Sequence, residues 1–153
     1  MDKNELLIAK VTNYRGCILN ASIDLERAID AYLTKYMTTD ENKQLDIFIF
    51  LLDRMSFDAK ISAFQAILQR DNPQDFKKKY DKLMGKIRMW KDERNVFAHY
   101  SLNDSDNAVN NVSKFVRLVN FRNKIDFKEY TGEKFIEILS GILETANTVR
   151  ELK

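Results

Sequence analysis

From residue 7 to residue 36 the chain carries apolar or stripe-compatible residues at steps of three and four: Leu7, Val11, Tyr14, Ile18, Ser22, Leu25, Ile29, Tyr32 and Tyr36. An α-helix advances 100° per residue, so these positions fall on one continuous face. The spacing predicts a long helix from about residue 4 to 37, with Ser22 as the one polar member of its stripe. Only 4 Gly and 1 Pro interrupt the 153 residues, a scarcity that favours long helices over a many-turned sandwich or barrel.

After a polar Thr-Thr-Asp-Glu-Asn connection, Leu45 to Leu52 is nearly continuously apolar, and Met55, Phe57, Ile61, Phe64, Ile67 and Leu68 follow. Composition alone would also allow a buried strand, but length and flanks favour helix up to Arg70, either continuous or interrupted near Ser56. Asp71-Asn72-Pro73 reads as a stop and restart, with Asn as a cap and Pro in a first helical turn. A third long helix is predicted over about 73–100, where Phe76, Tyr80, Leu83, Ile87, Trp90, Arg94 and Phe97 alternate steps of four and three. A polar loop from Ser101 to Asn111 follows. In Phe115 to Phe127, β-branched and aromatic residues alternate with Lys114, Arg117, Arg122 and Lys124, which points to a short hairpin or an irregular excursion near 112–128. Thr131 is the expected N-cap of a last helix that buries Phe135, Ile138, Ile142, Ala146 and Val149. With no repeat and no linker, residues 1–153 read as a single all-α domain, an antiparallel bundle of four to five helices.

The hydrophobic fraction of 44% and charged fraction of 31% belong to a globular chain rather than a disordered tail. One Cys and one His cannot form a disulfide or a Cys/His zinc site within the chain, and Cys17 reads as packing. No metal and no cofactor is expected: there is no Gly-rich phosphate loop and no metal-ligand spacing among the carboxylates. The charged N-terminus and the absence of a long apolar run predict no leader, no membrane partner and a cytoplasmic location. The net charge of +2 conceals an uneven distribution. Residues 75–94 hold eight cations against four acids, a local net of +4, and residues 24–53 hold seven acids against three cations, a net of −4. Such runs are ordinarily solvated helix faces; the alternative is a cationic face for phosphates.

One hexapeptide departs from the bland pattern: Arg94-Asn95-Val96-Phe97-Ala98-His99. Arg94 occupies a slot on the apolar stripe, where a guanidinium is costly unless it meets an acid or an anionic ligand. Asn95 and His99, four apart, share a face, and with Asp92 form a polar ridge beside the stripe. Either His99 caps the helix end and Arg94 makes a structural ion pair, or the two serve one site.

Arg-Asn-x-x-Ala-His, late in a long helix of a small bundle, resembles the Arg-x4-6-His motif of the HEPN domain family; Met55 to Ile61 also looks like helices of small bacterial relatives. The resemblance would span nearly the whole chain, but its specific part is six residues. It implies a metal-independent endoribonuclease of toxin, abortive-infection or stress-response type, with RNA as substrate, a homodimer that brings two motifs together, and an antitoxin protein as a further partner in defence. Carried over to this chain, His99 is the general base or acid, Arg94 clamps phosphate, and Asn95 orients the His. Glu26, with Asp24 and Asp30 as alternatives, is the expected acid for Arg94, and Lys86, Lys91 and Tyr100 are the expected RNA contacts. In the subgroup partnered with a nucleotidyltransferase the motif ends His-x-Tyr; in this chain Tyr100 follows His99 directly, which departs from that pattern. The competing expectations are a non-catalytic HEPN-like module that binds RNA, a nucleotide or a protein, and a bundle in which Arg94 and His99 only hold the fold.

Overall fold

The computed structural model describes residues 2–122 and 125–152. The fold is predominantly α, in the helical-bundle class, with a small antiparallel sheet. Six helices occur among the described residues: α1 (Lys3–Met37), α2 (Glu41–Phe50), α3 (Phe57–Asp71), α4 (Phe76–His99), α5 (Asp106–Asn110) and α6 (Gly132–Arg150). A 3-10 turn (Leu52–Arg54) joins α2 to α3. Three strands, β1 (Ser101–Leu102), β2 (Phe115–Asn120) and β3 (Asp126–Thr131), pair antiparallel in the order β1-β2-β3. No helix among the described residues is long and apolar enough to cross a membrane.

The local signals explain most boundaries. The expected second helix is split: Ser56 accepts a hydrogen bond from the Ala59 amide (3.2 Å) and so caps α3 anew. Thr131 caps α6 through the Lys134 amide (3.1 Å). Asn72 acts in the opposite sense to the expected one. Its side-chain amide donates back to the Leu68 carbonyl (3.1 Å), closing α3 rather than opening α4. The hairpin expected near 112–128 is present as β2 and β3, in the register Val116↔Tyr130 and Leu118↔Lys128. Lys124 lies outside the described residues. Two features of the polar loop after residue 100 go beyond the expectation: β1, only two residues long, and the single-turn α5.

The chain forms two compact units. The first joins Met1–Ser22 with Trp90–Gly141, and the second joins Ile23–Met89 with Ile142–Lys153. In the first unit the α1 stripe is buried as predicted, with Leu7, Val11, Tyr14 and Ile18 among its core, together with Phe97, Val116, Leu118, Tyr130, Phe135 and Ile138. Tyr14 stacks on Phe135 with ring centroids 3.9 Å apart. Ser22 is tolerated on the stripe because its hydroxyl donates to the Ile18 carbonyl (2.8 Å).

Gly141 of α6 also belongs to this unit, and it shows how closely Trp90 is fitted. A Cβ built there would lie 2.3 Å from Cζ2 of the buried indole. Glycine inside a helix costs about 1 kcal/mol against alanine, yet an alanine would force the rigid, buried ring to shift. Gly141→Ala is therefore expected to lower stability by about 1–2 kcal/mol, overpacking outweighing the propensity gain. A urea unfolding midpoint at or above that of the parent would refute this.

In the second unit the core is built by Leu25, Ile29, Leu33, Leu52, Ile61, Phe64, Leu68, Met84, Ile87 and Ile142. The far end of the α1 stripe rotates: Leu33 is buried, while Tyr36, expected inside, is exposed. The apolar run from Leu45 is helical as predicted, but α2 buries none of its residues, and Leu45, Ile49 and Phe50 are exposed. The buried cation of this unit is Lys60 of α3. Its ammonium lies 2.6 Å from Glu26 Oε1 and 3.0 Å from Asp30 Oδ1.

Candidate functional site

The α4 helix ends where the motif does. The Tyr100 amide still closes a helical bond to the Val96 carbonyl (3.0 Å), and the Tyr100 carbonyl accepts from the Arg15 guanidinium of α1. The chain then enters β1 at once, and the pairings Ser101↔Val119 and Leu102↔Leu118 bring the β2–β3 hairpin to the helix end. Two reciprocal hydrogen bonds fasten it there. Tyr130 of β3 donates to Glu93 of α4 (2.9 Å), and Tyr100 donates to Asp126 of β3 (2.9 Å). Residues 93 and 100 are two helical turns apart on one face, and residues 126 and 130 lie on one side of a strand, so both clasps close together. Burial, and then the Glu93 carboxylate, push the Tyr130 phenol far above its ordinary pKa. It therefore stays protonated and remains a donor.

Between helix end and hairpin lies a pocket of about 400 Å³, with Asp92, Asn95, His99 and Tyr100 on one wall and Asn120, Arg122, Asp126 and Lys128 on the other. The shared face predicted for Asn95 and His99 is thus the face that lines it, and Asp92 joins them. His99 is exposed at its rim. Arg94 is half-buried, not engulfed, and does not line the pocket; its Nη1 donates to Asn95 Oδ1 (3.0 Å). A guanidinium only donates, so the Asn95 oxygen is committed to Arg94 and its two N–H groups remain for other partners. Arg94 acts on the pocket through Asn95.

The charges are uneven. Asp126 accepts from Tyr100, and Asp92 lies 3.4 Å from Lys91. Among the described residues the Arg122 guanidinium and the Lys128 ammonium have no hydrogen-bond or ion-pair partner, so the hairpin wall sets two cations against the single carboxylate of Asp126. An exposed imidazole, an amide with N–H groups to spare and two cations without a bonded partner, set beside the carboxylates of Asp92 and Asp126, can exchange a proton and hold an anion. Among the described residues no group of three or more His, Cys, Asp and Glu side chains is arranged to hold a metal ion.

Several expected site residues are placed differently. Glu26 and Asp30, expected to pair with Arg94, meet Lys60 instead, because a fully buried ammonium requires carboxylates at contact distance. Asp24 pairs with Arg150. Lys86 is exposed and falls in the second unit, Lys91 is half-buried beside Asp92, and Tyr100 lines the pocket with its hydroxyl engaged. Sequence reasoning missed Asn120, Arg122, Asp126 and Lys128 as site residues. Arg122 is legible only as one of the cations of the hairpin, and the element that brings it to His99 is a two-residue strand too short to leave a period. Comparison with protein-family models, with curated proteins and with solved structures finds no match.

Proposed function

We propose that this chain is a metal-independent endoribonuclease of HEPN type, working as a homodimer in a toxin, abortive-infection or stress response. The observation that carries the reading is the placement of His99, the chain's one histidine, at the rim of a pocket whose opposite wall offers Arg122 and Lys128. RNA can be cut by its own 2′-hydroxyl. A base removes that proton, the 2′-oxygen bonds to phosphorus, the bond from phosphorus to the 5′-oxygen breaks, and an acid protonates the departing oxygen. The products are a 2′,3′-cyclic phosphate and a 5′-hydroxyl. Cations beside the phosphoryl oxygens stabilise the charge that grows there, and Arg122 and Lys128 take that part. Asn95, held by Arg94, offers N–H groups to the same oxygens. One imidazole cannot be base and acid at the same instant, so a second copy supplies the other His99.

The test is incubation of the wild-type protein with total RNA in EDTA. Cleavage that leaves cyclic-phosphate ends, and that stops when the 2′-hydroxyls are methylated, is the expected result; cutting only on addition of a divalent ion would overturn the mechanism. A second reading is favoured by exposed Phe121 (65%) and Phe127 (50%) beside the hairpin cations. Aromatic rings interleaved with cations also suit binding of single-stranded RNA without cutting. Salt-sensitive RNA binding with no cleavage under any condition would select that module over the nuclease.

A further inference from the structure

A second cavity, of about 760 Å³, opens in the unit formed by Ile23–Met89 and Ile142–Lys153. Its volume lies in the range of small-molecule sites. Residues of α1 form one wall. Ala28 and Ala31 leave space where larger side chains would fill it, and Tyr32 and Tyr36, four apart, set their rings nearly parallel (15°) with centroids 6.4 Å apart. Neighbouring side chains hold both rings. Phe64 meets Tyr32 edge-on at 4.9 Å, while the Tyr36 hydroxyl donates to Asp71 Oδ1 (3.2 Å) and the Arg70 guanidinium lies 5.2 Å from the Tyr36 centroid.

The polar groups of this cavity are incompletely used. Arg150 is engaged by Asp24 and Asn147. Lys35, also on the wall, has no ion-pair or hydrogen-bond partner among the described residues, and neither has the Tyr32 hydroxyl. Burial, with the Asp71 charge as a lesser cause, raises the Tyr32 pKa, so this phenol is a donor at neutral pH. The Asp71 carboxylate also lines the cavity, but it is engaged by Arg70 (3.3 Å) and by the Tyr36 hydroxyl, so the cavity joins an aromatic wall to one cation without a bonded partner, Lys35, and one idle donor.

We propose that it binds a small aromatic anion, the ring lying on the Tyr32–Tyr36 wall and the acidic group meeting Lys35 and the Tyr32 hydroxyl. Indoleacetate, which has both parts, indole, which lacks the acid, and acetate, which lacks the ring, are the probes for calorimetric titration of the whole chain. Indoleacetate should bind saturably, and indole and acetate should each bind at least about tenfold more weakly, the loss expected for one missing contact of about 1.4 kcal/mol. Lys35→Met should reduce indoleacetate to the affinity of indole. Ala31→Leu, at an exposed helical position that tolerates the larger side chain, should block both ring-bearing probes without lowering Tm. The proposal is overturned if indoleacetate shows no saturable binding, if acetate binds as tightly, or if both variants bind like the parent.

Discussion

Lys60→Met is expected to destabilise the protein by about 3–5 kcal/mol, the loss typical of removing one partner from a buried ion pair. The Lys60 side chain is 2% exposed and that of Asp30 3%, so water cannot replace the ammonium once it is gone. Both Asp30 oxygens lie within 3.1 Å of it. Glu26, at 27% exposure, can turn toward solvent. Asp30 would keep only Arg27, 3.2 Å from Oδ2 and itself half exposed, which places the effect toward the lower end of the range. The penalty comes from an abandoned buried carboxylate rather than from a lost attraction. Removing that carboxylate as well, in Lys60→Met with Asp30→Leu, should therefore restore most of the stability. Urea unfolding of the two variants checks this, and a single variant within about 0.5 kcal/mol of the parent, the scatter of ordinary surface changes, would refute the buried cluster.

His99→Ala is expected to lower the rate of RNA cleavage by about 10²–10⁴-fold, the usual contribution of a positioned proton-transfer group. The imidazole is exposed. The same variant should therefore unfold within about 0.5 kcal/mol of the parent, as surface changes do. That separation of rate from stability distinguishes a catalytic histidine from one that merely ends a helix. Binding of RNA by the variant should persist, because Arg122 and Lys128 are untouched. Cleavage at the parental rate would remove His99 from the mechanism.

Much of the fold was legible. Steps of three and four placed α1, α4 and α6 within a few residues of their ends, and Thr131 announced a helix start through a hydroxyl that satisfies an orphan amide. That Asn95 and His99 share a helix face also follows from their spacing alone, whereas the pocket that this face lines does not. Burial was read less well. The period of one helix states which residues share a side, but not how deeply neighbours cover each part of it. Arg94, on the stripe, is only half-buried, whereas Lys60, which no sequence signal singles out, lies fully inside. Tyr36 and the α2 residues Leu45, Ile49 and Phe50 fail the same way: apolar character permits burial without requiring it.

What the sequence by itself determined is the local inventory: where the long helices run, which turns are capped, and that one arginine, one asparagine and the one histidine stand together at a helix end. Those features depend on residues within a turn or two of each other, and so the periodicity carries them. The tertiary structure alone decided the partners. It took Glu26 and Asp30 to Lys60, and it brought Arg122 and Lys128 to His99 through β1 and the clasps Tyr130–Glu93 and Tyr100–Asp126. Such pairings join residues far apart along the chain. They are chosen by which charges and phenols must be satisfied once water is excluded, a condition that exists only after the chain has folded.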